Sequence, residues 1–345
     1  MSTITEDIKD ALISYYQTKQ DYSPDFHIFD FVPLEGGRQH KMYSFTILKI
    51  ENGKKYKQPL VLRLYDGNIA IENAEYEYRI MEKLRTSVVP VPRVFILEKD
   101  KNYIGSPFIV MGKIIGEDLY AYMNRRFASS ISLFEAKELE TWITKMASLL
   151  ASVHQLDWHA LGLDFLRSGS WSANYIAKGL DSPEVVYIAA SNKGVKSLID
   201  WFRERIDEVE TTENVVLHFD FHPQNVMVNG DRIVALIDWA EACLGDATFD
   251  VAWSNMLFYN GGAGDVIDLF VREYKRFSGQ VLKNLAFFEV SAACRQLFDL
   301  IAIKEGRALD LNKPIEVAAL YDVNKEMSKT ISYIYQKTRI DIGSI

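Results

Sequence analysis

Asp220, Asn225 and Asp238 are the residues whose types and spacing point to chemistry, and all three lie between Leu217 and Trp239. Their separations are 225 − 220 = 5 and 238 − 225 = 13 positions. Between the last two lie two short apolar runs, Val226-Met227-Val228 and Ile233-Val234-Ala235-Leu236-Ile237, joined through Asn229-Gly230. Asn-Gly between β-branched runs predicts a hairpin. A hairpin sets Asn225 at its start beside Asp238 at its exit, with Asp220 a short loop away. Two oxygen ligands on adjacent strand ends leave most of a coordination sphere open. That suits Mg²⁺, which keeps several waters and takes phosphate oxygens as ligands. The remaining carboxylate, Asp220, is then available to orient a hydroxyl and accept its proton, which is what phosphoryl transfer asks for.

These residues have to be positioned by the elements around them. Ile4 to Gln17 has the apolar spacing of a leading amphipathic helix. From Phe26 the pattern changes to short β-rich runs, Ile28 to Pro33, Met42 to Ile50 and Leu60 to Tyr65. Glu35-Gly36-Gly37-Arg38-Gln39-His40 separates the first two and Asn52-Gly53 marks the next turn. Gly36-Gly37 reads either as a backbone able to close over phosphates or as a plain hairpin turn. Arg63 is the one charge on the apolar run Leu60 to Tyr65. It needs a partner, phosphate or carboxylate, unless it sits on an exposed edge strand. A helix is expected from about Ala70 to Arg85, then strands at Pro92 to Leu97 and Pro107 to Met111. Ser132 and Glu135 form a capping-box pattern that opens a helix reaching about Gln155. Residues 182 to 196 read as less regular, leading into a helix from Ser197 to Glu210, and the chain after Trp253 reads as helices.

His218-Phe219-Asp220-Phe221-His222-Pro223-Gln224-Asn225, the hairpin, Ile237-Asp238-Trp239 and then Gly245-Asp246-Ala247-Thr248-Phe249-Asp250-Val251-Ala252 form one continuous pattern. It resembles the catalytic core of the aminoglycoside phosphotransferase-like small-molecule kinases, relatives of the protein kinases. The resemblance implies an α+β, two-lobed protein-kinase-like fold. Residues 1–112 would form an antiparallel β-sheet lobe with one main helix, and 113–345 a larger, mostly helical lobe that binds the acceptor. It implies Mg²⁺-dependent transfer of the γ-phosphate of ATP or GTP to a hydroxyl of a small molecule: an aminoglycoside-like antibiotic, an amino alcohol, a sugar or a hydroxy amino acid. The alternatives are a non-catalytic nucleotide-binding or regulatory protein on the same fold, and a nucleotidyl transferase.

Roles follow from the same resemblance. Asp220 would be the base, with Asn225 and Asp238 on Mg²⁺. Gly36 and Gly37 would lie in the phosphate loop. Arg63 would hold the α- and β-phosphates, paired with Glu77, with Glu75 as the rival. Backbone groups from Met111 to Lys113 would meet the adenine edge. His154 and His218 read as structural, and Asp250 as an acceptor for the catalytic loop's backbone. His222 either touches the acceptor or forms the turn. The acceptor would lie against residues around Tyr175, Trp253, Phe258, Arg295 and Asp299, with Glu241 and Asp246 nearby, none of them with an assigned role. Two positions depart from the pattern. Phe219 stands where small-molecule kinases usually have Gly, and Ala240 follows Asp238-Trp239 where protein kinases need Gly. No Ala-Pro-Glu segment follows Asp238, which argues against protein-kinase activity.

At 345 residues with 48% hydrophobic composition, the chain can bury more than one ordinary core. No stretch has the length and apolarity of a membrane span, and the acidic first ten residues lack an apolar h-region, so no membrane partner and a cytoplasmic location are expected. Two cysteines are too few for a disulfide framework or a zinc cluster. Lys and Arg number 15 against 15 Asp and Glu up to residue 112, and 24 against 32 afterwards, so the net charge of −8 belongs to the second part. An acidic lobe either steers a cationic acceptor or is an ordinary solvated surface. With no basic stripe, nucleic acid is not an expected partner. Nothing in the sequence sets an oligomeric state.

Overall fold

Alternation along the early strands decides how the first part of the chain is layered. The computed structural model describes residues 3–19, 26–34, 40–51, 54–127, 133–167, 176, 179–209, 213–305 and 322–343. β1 (Ile28–Pro33), β2 (Met42–Glu51), β3 (Lys54–Leu64), β4 (Val94–Glu98) and β5 (Phe108–Gly112) form an antiparallel sheet in the order β1-β2-β3-β5-β4. Leu60, Leu62 and Leu64 of β3 share one core cluster with Leu12, Tyr15 and Tyr16 of α1 (Thr3–Lys19). Val61 and Tyr65, on the alternate positions, join Ala70, Ala74, Ile80 and Met81 of α2 (Ala70–Leu84). Arg63 shares their face. It lies on the central strand at 6% exposure, not on a sheet edge.

Beyond the sheet come β6 (Glu117–Asp118), α3 (Leu119–Arg126) and α4 (Leu133–His154). Asp118 caps α3 by accepting the Ala121 N–H. The capping box proposed for Ser132 and Glu135 lies outside the described residues. Residues 182 to 209 differ from the expectation of one helix from Ser197 to Glu210, whose last residue lies outside the described residues. They include two short helices, α5 (Pro183–Ser191) and α6 (Lys193–Arg203), and a 3-10 turn at Ile206–Glu208. The reason is local: Ser182 accepts the Val185 N–H and Asn192 accepts the Val195 N–H, so each starts its own helix.

β7 (Val215–Leu217) pairs with β10 (Cys243–Gly245), and β8 (Val226–Asn229) and β9 (Arg232–Leu236) form the expected hairpin, flanked by β6. Its turn lies one position later than the Asn-Gly signal suggests. Asn229 pairs with Arg232, so Gly230 and Asp231 are the central residues, and Gly230 takes φ +62 at the first of them. Among the described residues, the α-helices that follow are α7 (Ala247–Asn260), α8 (Ile267–Ser278), α9 (Leu285–Lys304) and α10 (Val323–Thr338). The result is a mixed α+β protein, an antiparallel sheet lobe followed by a helical one. One core cluster runs from Val61 and Met111 through Trp142 and Leu150 to Val226 and Trp239, so hydrophobic packing is continuous between sheet and helices. A second cluster joins Leu217, Phe219, Phe249 and Trp253 to Phe288, Leu297 and Tyr333. Among the described residues no helix is long and apolar enough to cross a membrane.

Candidate active site

The hairpin brings its two ends together. Val226 pairs with Leu236, and the Ile237 N–H donates to the Asn225 carbonyl at 2.9 Å, which places Asn225 beside the residue preceding Asp238. The Asn225 amide nitrogen donates to the Asp220 carbonyl at 2.8 Å and lies 3.3 Å from Asp220 Oδ2. Two non-glycine residues in this loop system are left-handed, Phe219 at φ +70 and Asp238 at φ +66. Such a conformation costs about 1–2 kcal/mol and needs surrounding contacts to hold it. At Phe219 those contacts are visible. Its N–H donates to Asp250 Oδ1 at 2.8 Å, its carbonyl accepts from Arg295 Nη1 at 2.9 Å, and its ring stacks on Phe249 at 4.9 Å. A residue with positive φ is what a glycine would ordinarily supply here.

Behind the loop stands Asp250, fully buried on α7. Its carboxylate also accepts the His218 N–H at 2.8 Å and lies 3.1 Å from His154 Nε2, whose other ring nitrogen is 2.7 Å from the Tyr274 hydroxyl. His154 therefore supports the loop from inside the core. His218 Nε2 donates to the Ile237 carbonyl at 3.0 Å, leaving Nδ1 to face the Asp220 N–H at 3.4 Å. Burial pushes the His218 imidazole down, which keeps it neutral and suits that pair of contacts. His222 Nδ1 accepts the Gln224 N–H at 3.2 Å and so caps the short turn Pro223–Asn225, while Nε2 lies 3.4 Å from Asp220 Oδ2. The histidine that forms the turn is thus also a neighbour of the carboxylate.

Asp220 itself accepts the Trp253 indole N–H on Oδ1 at 3.1 Å. Burial pushes its carboxyl up, but His222 and the Arg295 charge outweigh burial and hold it well below the usual carboxylate range. Arg295 extends from α9 with its guanidinium 4.0 Å from the Phe219 ring and 4.4 Å from the Trp253 ring, and 3.8 Å from Glu241.

Across from this loop, Arg63 Nη1 meets Glu77 Oε1 at 2.7 Å and Nη2 meets Asp238 Oδ1 at 3.1 Å. The Tyr65 hydroxyl donates to the other Glu77 oxygen at 2.5 Å. Burial disfavours the Arg63 charge, but Glu77, Tyr65 and Asp238 outweigh it and hold the guanidinium's pKa above its ordinary value. Glu75 points elsewhere, to an exposed pair with Lys99 at 3.1 Å. Tyr65 was not singled out in the sequence, although its position two residues from Arg63 on the same strand face was a usable signal.

The segment expected to read a base edge is partly committed to the sheet. The Gly112 N–H donates to Arg93 and the Lys113 N–H to Pro59, so the Lys113 donor is not available for a base, and Lys113 Nζ donates to Ser44. Met111 is paired inside the sheet with Val61. Gly36, Gly37 and Tyr175 lie outside the described residues. Of the other positions near the expected acceptor region, Phe258 packs edge-on against Phe270 in the core, and Asp246 caps α7 through the Thr248 N–H.

Asn225 uses its amide nitrogen on Asp220, which leaves its side-chain oxygen as the atom for a cation, and the Asp238 carboxylate is 37% exposed. These hard oxygen donors fit Mg²⁺. Among the described residues no group of three His, Cys, Asp or Glu is placed to hold a metal, so a cation here would take phosphate and water as its remaining ligands.

Residues 30–288 match the model of a family described as the phosphotransferase enzyme family. The chain belongs to that family. Among curated relatives, it is 29% identical over 208 residues to mouse (Mus musculus) acyl-CoA dehydrogenase family member 10, a match covering 58% of this chain and 18% of the relative. The chain spans well under a third of the length of that protein. Its fold is that of a solved structure from Ralstonia eutropha JMP134, named as a candidate aminoglycoside phosphotransferase, with a TM-score of 0.67 at 18% identity over 95% of this chain and 98% of the other. It is also that of a thermostable variant of aminoglycoside phosphotransferase APH(4)-Ia, solved with AMP-PNP and hygromycin B, with a TM-score of 0.60 at 16% identity over 96% and 99% of the two chains.

Proposed function

We propose that this phosphotransferase-family protein transfers the γ-phosphate of a Mg²⁺-bound nucleoside triphosphate, ATP or GTP, to a hydroxyl of a small molecule. The observation that carries the reading is the convergence of two elements on Asp238. Arg63 on the sheet lobe reaches it directly, and Asn225 and Asp220 are hydrogen-bonded together beside the same hairpin end. In the nucleotide complex the direct Arg63–Asp238 contact would give way to phosphate oxygens on Arg63 and Mg²⁺ on Asp238, beside the hairpin end that carries Asn225 and Asp220.

In this reading Asn225 and Asp238 hold Mg²⁺, which when bound neutralises charge on the phosphates. Arg63 takes α- and β-phosphate oxygens, braced by Glu77 and Tyr65. The boundary between the lobes falls after Gly112. Asp220 accepts a hydrogen bond from the acceptor hydroxyl and aligns its oxygen with the γ-phosphorus. The new O–P bond forms as the bond from the γ-phosphorus to the β,γ-bridging oxygen breaks, and the nucleoside diphosphate leaves with that electron pair. The hydroxyl proton passes to Asp220. A carboxylate held at low pKa is a weak base. It suits a loose transition state, in which the hydroxyl keeps its proton until the P–O bond is well formed, so Asp220 acts first by orientation.

The acceptor panel follows from two sources. The family resemblance suggests aminoglycosides, amino alcohols, sugars and hydroxy amino acids. The curated relatives carry the matched stretch inside chains named as acyl-CoA dehydrogenases, which adds hydroxylated acyl thioesters. The test is nucleoside diphosphate release from Mg-ATP and Mg-GTP over this panel, with Asp220→Ala as the blank. Acceptor-dependent release that disappears in the variant supports the reading. Transfer of a nucleotidyl group, seen in the added mass of the product, would replace it. Failure of both nucleotides to bind with Mg²⁺ present would overturn it.

A further inference from the structure

Asp220 follows directly on a residue held at φ +70, so its carboxylate has the orientation that the Phe219–Asp220 peptide allows. Both of its oxygens have neighbours on different elements. Oδ1 accepts from Trp253 of α7, and Oδ2 faces the Asn225 amide and His222. One side chain touches most of this arrangement from outside the loop. Arg295 of α9 places its guanidinium against the rings of both Phe219 and Trp253, donates to the Phe219 carbonyl, and reaches Glu241, three positions after Asp238. The carbonyl it holds belongs to the peptide that leads into Asp220.

We propose that Arg295 is a positioning residue: sandwiched between Phe219 and Trp253, it fixes the backbone before Asp220 and the indole that orients the Asp220 carboxylate. The inference rests on the role given to Asp220 above. A flat guanidinium suits this place because it can stack on aromatic faces while its edge donates in plane, which a lysine ammonium cannot do. The competing use of an arginine here is to bind an anionic acceptor. Its surroundings speak against that use. Two rings lie against the guanidinium, Nη1 is bonded to a main-chain carbonyl, Nη2 faces Glu241, and the side chain is only 14% exposed. Phe219 also acquires a purpose. Where a glycine would merely tolerate the backbone angle, Phe219 adds a ring on which Arg295 rests.

The test reads the Trp253 indole N–H by ¹H–¹⁵N NMR of the full chain, whose six tryptophans are resolved by assigning this one through its loss in Trp253→Phe. Asp220→Asn marks where the resonance moves when the carboxylate is replaced. In Arg295→Met the resonance is expected to move from its wild-type position, and in Arg295→Lys to move less. Mg-ATP hydrolysis with water as acceptor gives the second readout. In Arg295→Met, kcat is expected to fall about 10- to 100-fold, as for other residues that orient a reacting group, with KM for Mg-ATP within about twofold. An unmoved indole resonance in Arg295→Met overturns the proposal. So does a rise in KM for Mg-ATP with kcat intact, since that marks a contact with the nucleotide. Arg295→Lys supplies both readouts if Arg295→Met does not fold. If Asp220→Ala hydrolyses Mg-ATP like wild type, the role of Asp220 fails separately, while the indole resonance still decides whether Arg295 sets its geometry.

Discussion

Arg63 Nη2 and Asp238 Oδ1 stand 3.1 Å apart across 175 positions of chain, joining the central strand of the first sheet to the exit of the β8–β9 hairpin. With Nη1 on Glu77, the guanidinium is shared between a buried carboxylate and a partly open one. Arg63→Met leaves Glu77, 1% exposed, without its cation. The expected loss is about 3–5 kcal/mol in urea unfolding. Glu75→Gln affects only an exposed pair with Lys99 and should stay within about 0.5 kcal/mol of wild type. Equal effects from the two variants would mean that Glu77 is not the residue paired with Arg63 in solution.

Asp238 and Asp220 separate binding from turnover. A nucleotide at 100 times its dissociation constant stabilises the folded state by about 2.7 kcal/mol, visible as a rise in Tm. In Asp238→Ala the Mg²⁺-dependent part of that rise is expected to vanish. In Asp220→Ala it should persist, while transfer to an acceptor falls about 10²- to 10⁴-fold. If Asp220→Ala loses nucleotide stabilisation instead, its carboxylate serves binding and not the acceptor hydroxyl.

The parts of the site legible in the sequence are those carried by local pattern. Alternation along Leu60 to Tyr65 placed Arg63 on one face of a strand, and the hairpin signal brought Asn225 to Asp238 despite a turn displaced by one residue. Asp250 was legible only through resemblance, since its hydrogen bonds to the His218 and Phe219 N–H groups span 32 and 31 positions and no local pattern encodes them. No pattern in the sequence assigns a role to Arg295 or Trp253. Their contacts with Phe219 and Asp220 span from 33 to 76 positions and depend on how α7 and α9 pack, which no local period encodes. At Lys113 the backbone N–H is bonded to the Pro59 carbonyl, a use that residue type does not reveal because backbone hydrogen bonding leaves no trace in the sequence.

Asp250 and Asp246 provide a matched comparison four positions apart. Asp250 accepts two backbone N–H groups and faces His154, so Asp250→Asn turns one acceptor into a donor that points at a donor. The expected cost is about 2–3 kcal/mol in chemical denaturation, with reduced turnover because His218 and Phe219 lose their anchor. Asp246 caps α7, and asparagine caps a helix about as well as aspartate, so Asp246→Asn should change stability by only a few tenths of a kcal/mol. A large effect at Asp246 with none at Asp250 would reverse the roles assigned to them.

His40 makes a prediction about pH. Its ring packs on Tyr65 at 4.5 Å, and burial together with the Arg63 charge pushes its pKa down to about 3. In the unfolded chain a histidine takes up its proton near pH 6.5. Between pH 6.5 and about 3 the unfolded state therefore binds more protons than the folded one at this residue, and stability must fall as pH is lowered through that window. His218, also pushed down by burial, acts in the same direction. Thermal melts from pH 8 to 4 should show His40→Gln losing Tm less steeply below pH 6.5 than wild type, with both curves flat with respect to this residue above pH 7.5. Parallel curves across the whole range would show that His40 is protonated in the folded protein as readily as in the unfolded chain, and that the Arg63 face of the sheet is open enough for water to solvate its charge.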